Sequence, residues 1–313
     1  APAFGFLDQM ERTIAAKLTN RQLLDRCFDV DLIEASQAKV EIGIQNFSGE
    51  RTSKMSTYVK MFFGGAAGYL LMMFIIIYGN MVMRSVIEEK TNRIIEIIIS
   101  SVKPIHLMLG KILGTSLAGI TQFVIWVILG GVMLTLVSMI AGVDMGAMQG
   151  AQQQAIEQMS DNELQQLVMD IARLPMLLLL VSFLVYFIGG YFLYSAIYAA
   201  IGAAVDNETD TQQFMLPVIL PLMLGIYVGF FAVIENPHGV VSTVFSMIPL
   251  TSPIVMLMRI PFGVAWWELA ISFSILVLTI AGVVWVAAKI YRVGILMYGK
   301  KPSYKELYKW LKY

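Results

Sequence analysis

The chain has 313 residues and zero formal net charge, with 58% hydrophobic and only 14% charged residues. Soluble domains average about 45–50% and about 25%. The apolar residues run in long uninterrupted stretches, which excludes an ordinary soluble domain and indicates an all-α polytopic membrane protein. Neutral overall charge gives no sign of a nucleic-acid partner.

Residues 1–58 are polar and mixed, with seven Lys or Arg (Arg12, Lys17, Arg21, Arg26, Lys39, Arg51, Lys54). Met10, Ile14 and Leu18 give Phe6–Leu24 helical apolar spacing, and Lys39–Phe47 alternates as a strand does. A segment this short buries little surface by itself, so it is expected to be the C-terminal remnant of a larger extracytoplasmic domain. The Ala start is expected to mark a fragment or processed product, in which the single cysteine, Cys27, has lost a partner.

The rest, 59–313, reads as one transmembrane domain. Residues 61–83 form a first span of 23 uncharged residues, about 35 Å as a helix, enough for a hydrocarbon core of about 30 Å. Residues 84–104 are dense in charge, and Ile87, Thr91, Ile94 and Ile98 share one helical stripe. Glu88, Glu89, Asn92, Arg93 and Glu96 lie opposite, with i,i+4 pairs Arg84–Glu88 and Glu89–Arg93. Pro104 is expected to end this amphipathic helix. Further spans follow at 112–142, 175–205, 215–234 and 269–288. The polar excursion 143–174 between the second and third carries a capping box, Ser160 to Glu163. The segment 235–265 holds apolar pieces too short to cross, punctuated by Pro237, Pro249, Pro253 and Pro261, and reads as re-entrant or lying at the interface. Gly225 and Gly229 have the spacing of a helix contact.

Lys and Arg are asymmetric. The loop after the first span carries Arg84, Lys90, Arg93, Lys103 and Lys111, and the tail from Lys289 carries seven. The 143–174 and 235–265 excursions carry Arg173 and Arg259 alone. The positive-inside rule therefore puts the charged loop and the C-terminus in the cytoplasm and the N-terminal segment outside. None of the five spans holds Asp, Glu, Lys, Arg or His, so nothing marks a proton relay or an ion-coupled carrier. His106 and His238 are far apart, and there is no metal-ligand spacing, phosphate-cradling glycine loop or activated nucleophile. No catalytic residue and no cofactor are expected in this chain.

Val86–Lys90, Arg93–Glu96, Ser100–Ser101, Lys103–Pro104 and Leu109–Lys111 together resemble the signature of ABC-2-type permeases, the membrane subunits of ABC exporters. The likeness is greatest to the bacterial sodium-extrusion group. Pro249–Pro253, Met258–Ile260 and the tail 290–303 extend it over about 55–313. The resemblance implies six spans, of which this chain would hold the second to sixth, in the bacterial inner membrane. It also implies a cytoplasmic ABC ATPase partner carrying ATP and magnesium, and a second permease copy or a sister permease. Glu88, Glu89, Lys90, Arg93, Glu96, Ser100, Ser101, Lys103 and Pro104 would couple to that ATPase, and Pro249, Pro253 and Arg259 would belong to an outer gate. The competing readings are a membrane scaffold or sensor that anchors a cytoplasmic partner, and a passive channel. Sodium, lipid, drug and peptide all stay open as substrates.

Overall fold

The computed structural model describes residues 54–92, 94–99, 101–141, 174–297 and 304–311, together with 44–45, 51–52, 171 and scattered positions within 10–17. Most of the expected N-terminal helix, the excursion 143–170, Cys27, Arg93 and Ser100 lie outside the described residues. Two short strands, β1 (Ile44–Gln45) and β2 (Arg51–Thr52), pair antiparallel just before the first helix.

Among the described residues five helices are long and apolar enough to cross a membrane. They are α1 (Lys54–Thr91), α3 (Pro104–Ala141), α4 (Met176–Ala204), α5 (Gln212–Val228) and α8 (Trp266–Gly294). A 3-10 turn, Glu208–Thr211, leads into α5, and a π turn, Gly229–Val233, prolongs it. The shorter helices are α2 (Ile94–Ile99), α6 (Val240–Met247), α7 (Ser252–Arg259) and α9 (Tyr304–Trp310). Among the described residues the architecture is all-helical apart from the two-residue ladder.

The charged segment differs from the expected single helix over 84–104. With 38 residues, α1 is about 57 Å long and outruns a hydrocarbon core of about 30 Å. Arg84–Thr91 is therefore the projecting end of the first span, and only α2 is a separate helix. Pro104 does not close that segment. It is the first residue of α3, where a missing N–H costs no hydrogen bond and the ring pre-sets the helical φ.

Helix α4 is the hub, with half of its most apolar stretch buried, whereas the corresponding stretch of α3 has none buried. Large side chains of α4 such as Phe187, Tyr191 and Tyr194 are fully enclosed. Tyr191 donates to the Ile112 carbonyl at 3.1 Å and its hydroxyl meets that of Thr115, fixing α3 on this hub.

The pair of short helices α6–α7 is the second organising element. All eight residues of α7 are buried. It fits because the spans around it present glycine. A methyl on Gly64 would come within 2.8 Å of the Met258 carbonyl oxygen, and Gly68 and Gly229 both face the Met258 side chain. The Gly225 and Gly229 contact expected from spacing is thus made, with Ile254 and Met258 of α7 as its partners. Gly263, at φ 86°, takes the left-handed turn from α7 into α8 that a side chain would strain.

These contacts fix relative sides. The leading half of α1 meets α7, whereas its far end meets the end of α4 and the start of α3. The end of α8 joins the same pole as that far end. Gly294 approaches the Ala203 carbonyl, and Lys289 donates to the Leu311 carbonyl beside the folded-back α9.

Candidate functional site

The projecting end of α1 is bolted to its neighbours by two lysines. Lys90 is 1% exposed, and its ammonium donates to the carbonyls of Ala203 at 2.8 Å and Val205 at 3.2 Å while pairing with Asp206 at 3.0 Å. Ala203 and Val205 sit where α4 runs out, at the negative end of its dipole, where carbonyls have no partner within the helix. The ammonium thus has two carbonyl acceptors and one carboxylate counter-charge. Thr91 adds a bond from its hydroxyl to the Asp206 carbonyl at 3.4 Å. The close approach depends on Gly202, where a methyl would come within 2.8 Å of the Met83 carbonyl oxygen.

Lys111 makes the second clamp from the first turns of α3. It pairs with Glu89 at 2.7 Å and donates to the Ser85 carbonyl at 3.0 Å and the Ser85 hydroxyl at 3.1 Å. Both ends of the linker between the first and second spans are therefore anchored, and α2 lies between the anchors. Ile95 of α2 is fully buried, while Ile97 is 75% exposed and Ile94 and Val102 also face outward.

The candidate coupling residues divide accordingly. Glu88, Ser101 and Lys103 are exposed. Lys90 and Glu89, expected on a partner-facing surface, are instead engaged inside the molecule, because Asp206 and Lys111 fold onto them. Glu89 pairs with Lys111, and Arg84 lies 3.7 Å from Glu208 rather than pairing with Glu88. That last contact is more than half exposed on both sides and contributes little. Pro104 is half-buried at the head of α3, Glu96 lies within α2, and Arg93 and Ser100 fall outside the described residues.

At the opposite pole Arg259 is fully buried. Its Nε donates to the Pro237 carbonyl at 2.7 Å, one terminal nitrogen to the Ser246 hydroxyl at 2.5 Å, and the other to the Thr243 hydroxyl at 3.2 Å and Glu268 at 2.8 Å. Glu268 opens α8, and Ser272 one turn on donates to the Ser246 carbonyl at 2.7 Å. The guanidinium therefore ties α6, α7 and α8 into one unit, and its charge is neutralised rather than free in a loop. Pro253 packs against Gly190 at the head of α7, and Pro249 lies in the turn between α6 and α7. Tyr194 of α4 holds that turn through a 2.7 Å bond to the Leu250 carbonyl.

Sequence reasoning missed Asp206, Lys111 and Glu268 as partners. Lys90 and Asp206 are more than a hundred positions apart, and Lys111 and Glu268, though nearer to their partners, sit on different helices from them, so no helical periodicity pairs any of the three. Among the described residues no group of three or more His, Cys, Asp or Glu is placed to hold a metal ion. The junction thus joins the two ends of the linker that holds α2 to α1, α3 and α4 through Lys90 and Lys111.

Residues 4–289 match the family model described as ABC-2 family transporter protein. The uncharacterized protein YhaP of Bacillus subtilis (strain 168) is 29% identical over 234 residues, covering 74% of this chain and 51% of the relative. The uncharacterized protein MJ1024 of Methanocaldococcus jannaschii is 24% identical over 242 residues, covering 77% of this chain and 51% of the relative. The chain thus spans about half the length of the curated relatives it matches. No solved structure matches.

Proposed function

The chain belongs to the ABC-2 family of transporter proteins, and on that premise we propose that it is the membrane permease of an ATP-driven exporter, moved by a separate cytoplasmic ATPase. The observation that carries this reading is the linker helix α2. It is short, presents Ile97 outward, and is held at both ends by Lys90 and Lys111. A soluble motor does work on spans through an element that both parts hold rigidly, and these clamps supply the rigidity on the membrane side.

In this reading α2 and its flanks, with Glu88, Ser101 and Lys103, dock on the ATPase, which carries ATP and magnesium. Lys90 and Glu89 are positioning residues that connect the docked segment to the spans. The Arg259 unit holds the α6–α7 pair as an outer closure. Residues 1–58 are assigned to an extracytoplasmic segment and 59–313 to the transmembrane domain. The Lys and Arg asymmetry of the loops and tail supports a cytoplasmic linker and C-terminus. A second permease copy or a sister permease completes the pathway.

The test is reconstitution of the full-length gene product in vesicles with its ATPase, assayed across ions, lipids, drugs and peptides. ATP-dependent efflux that disappears when the ATPase is disabled supports the proposal. Flux without ATP identifies a channel, and partner binding without flux identifies a scaffold or sensor; either overturns it.

A further inference from the structure

We propose that a recess between α1 and the lead-in to α5 binds the headgroup of an amine-bearing phospholipid, with the phosphate on Arg84 and the ammonium on Glu208. The recess has a volume of about 340 Å³ and is lined by Asn80 and Arg84 of α1 and by Glu208, Thr209 and Gln212, with two methionine side chains. It therefore combines one cation, one anion and several neutral hydrogen-bonding groups in a space of small-headgroup size.

The two charges are only loosely engaged with each other. Arg84 Nε and Glu208 Oε1 are 3.7 Å apart, and the side chains are 59% and 54% exposed. This single long contact leaves the two terminal guanidinium nitrogens for phosphate oxygens, which Arg engages in paired fashion. It likewise leaves a carboxylate oxygen for a primary ammonium. The Lys90 and Lys111 pairs nearby are shorter and closed to such a ligand.

Position supports a lipid rather than a soluble zwitterion. Arg84 is the first charge after the uncharged run 61–83, which sets the recess at the boundary between hydrocarbon and headgroups. Apolar side chains lead away from it on both helices at helical spacing: Ile77 and Met81 on α1, and Leu216 and Leu220 following Gln212 on α5. They are 49%, 47%, 69% and 55% exposed. A polar cup at the foot of two exposed apolar stripes is complementary to an amphiphile, with acyl chains along the stripes and the headgroup in the cup. A purely anionic headgroup would leave Glu208 facing negative charge, and a quaternary amine offers it no N–H donor.

The proposal requires only that the chain lie in a bilayer. The assay contains no ATPase, so its failure leaves the exporter reading untouched. The purified full-length protein in detergent is exposed to equal amounts of phosphatidylethanolamine, phosphatidylglycerol and phosphatidylcholine, and retained lipid is counted by native mass spectrometry. The wild type is expected to retain phosphatidylethanolamine about tenfold over either competitor, as one charge-assisted contact implies. Glu208→Gln is expected to remove that preference, and Arg84→Gln to lower retention of all three lipids, with Arg84→Lys restoring part of it. Both side chains are more than half exposed, so melting in lipid-free detergent should match the wild type, and that measurement accompanies each variant. Equal retention of the three lipids, unchanged in both Gln variants, means annular lipid only and overturns the proposal. Displacement of the lipid by equimolar glycerophosphoethanolamine also overturns it, because the ligand is then a soluble headgroup.

Discussion

Replacing Lys90 with Met tests the junction most sharply, because the two possible settings of this residue give very different costs. An exposed lysine replaced on a helix surface changes stability by less than about 0.5 kcal/mol. In the structure Lys90 is 1% exposed and serves Asp206 and two carbonyls at the end of α4. Methionine fills similar space, so little cavity cost arises. What remains is the Asp206 carboxylate without its cation, beside two carbonyls at the end of α4 without their donor. Removing one partner of a buried pair costs about 3–5 kcal/mol, and since Asp206 keeps 26% exposure the lower end applies, about 3 kcal/mol. Asp206→Asn alone leaves Lys90 its two carbonyls and should cost about 1.5 kcal/mol, one hydrogen bond to a charged group. In the double variant no orphan carboxylate is left, so its cost should fall about 2 kcal/mol short of the sum of the singles. The assay is unfolding in mixed micelles on titration with SDS, followed by tryptophan fluorescence. Strict additivity, or a Lys90→Met variant as stable as the wild type, would refute the buried clamp.

Other consequences follow from the same contacts. Exchanging the charges at 89 and 111 (Glu89→Arg with Lys111→Glu) should be tolerated better than either single reversal, by about 1–2 kcal/mol of coupling on the same unfolding axis, because they face each other at 2.7 Å. Arg259→Lys should lose nearly as much stability as Arg259→Met, about 3 kcal/mol, since an ammonium cannot reach the four acceptors served by the guanidinium; near-wild-type stability of the lysine variant would contradict the node. Gly229→Ala should be rescued by Met258→Ala, whose side chain it meets, whereas Gly64→Ala should not, because its obstacle is a backbone carbonyl at 2.8 Å; equal rescue of both would contradict the seating of α7.

The spans were legible because a long uncharged apolar run has few other physical meanings. The short helices α6 and α7 were legible for a related reason: apolar pieces of that length, broken by proline, are too short to cross. The ends of the first span were not legible. A helix that continues into water keeps its hydrogen bonds and changes only its side chains, so the charges after Met83 looked like the start of a new element. Pro104 carried an ambiguous signal, since the restriction that ends one helix also suits the first position of another. At the candidate site Glu88 and Lys103 read as exposed from their own neighbourhood, and they are exposed. Lys90 and Glu89 share that neighbourhood, yet their fate is decided by the end of α4 and the start of α3. Arg259 illustrates the same limit. Counted as a loop charge, it is buried because Glu268 and three α6-side acceptors close around it.

We propose that α2 is the handle through which an ATPase moves the spans. It is tested directly by placing a cysteine at Ile97, the 75% exposed position of this helix, and attaching a short thiol-reactive photo-cross-linker in the full-length protein with Cys27 replaced. A cross-link to the co-expressed ATPase subunit is expected, and loss of ATP-driven transport with ATPase activity retained when Lys111→Met loosens the clamp. Absence of that cross-link while the two subunits still co-purify, or unaltered transport in Lys111→Met, would contradict it.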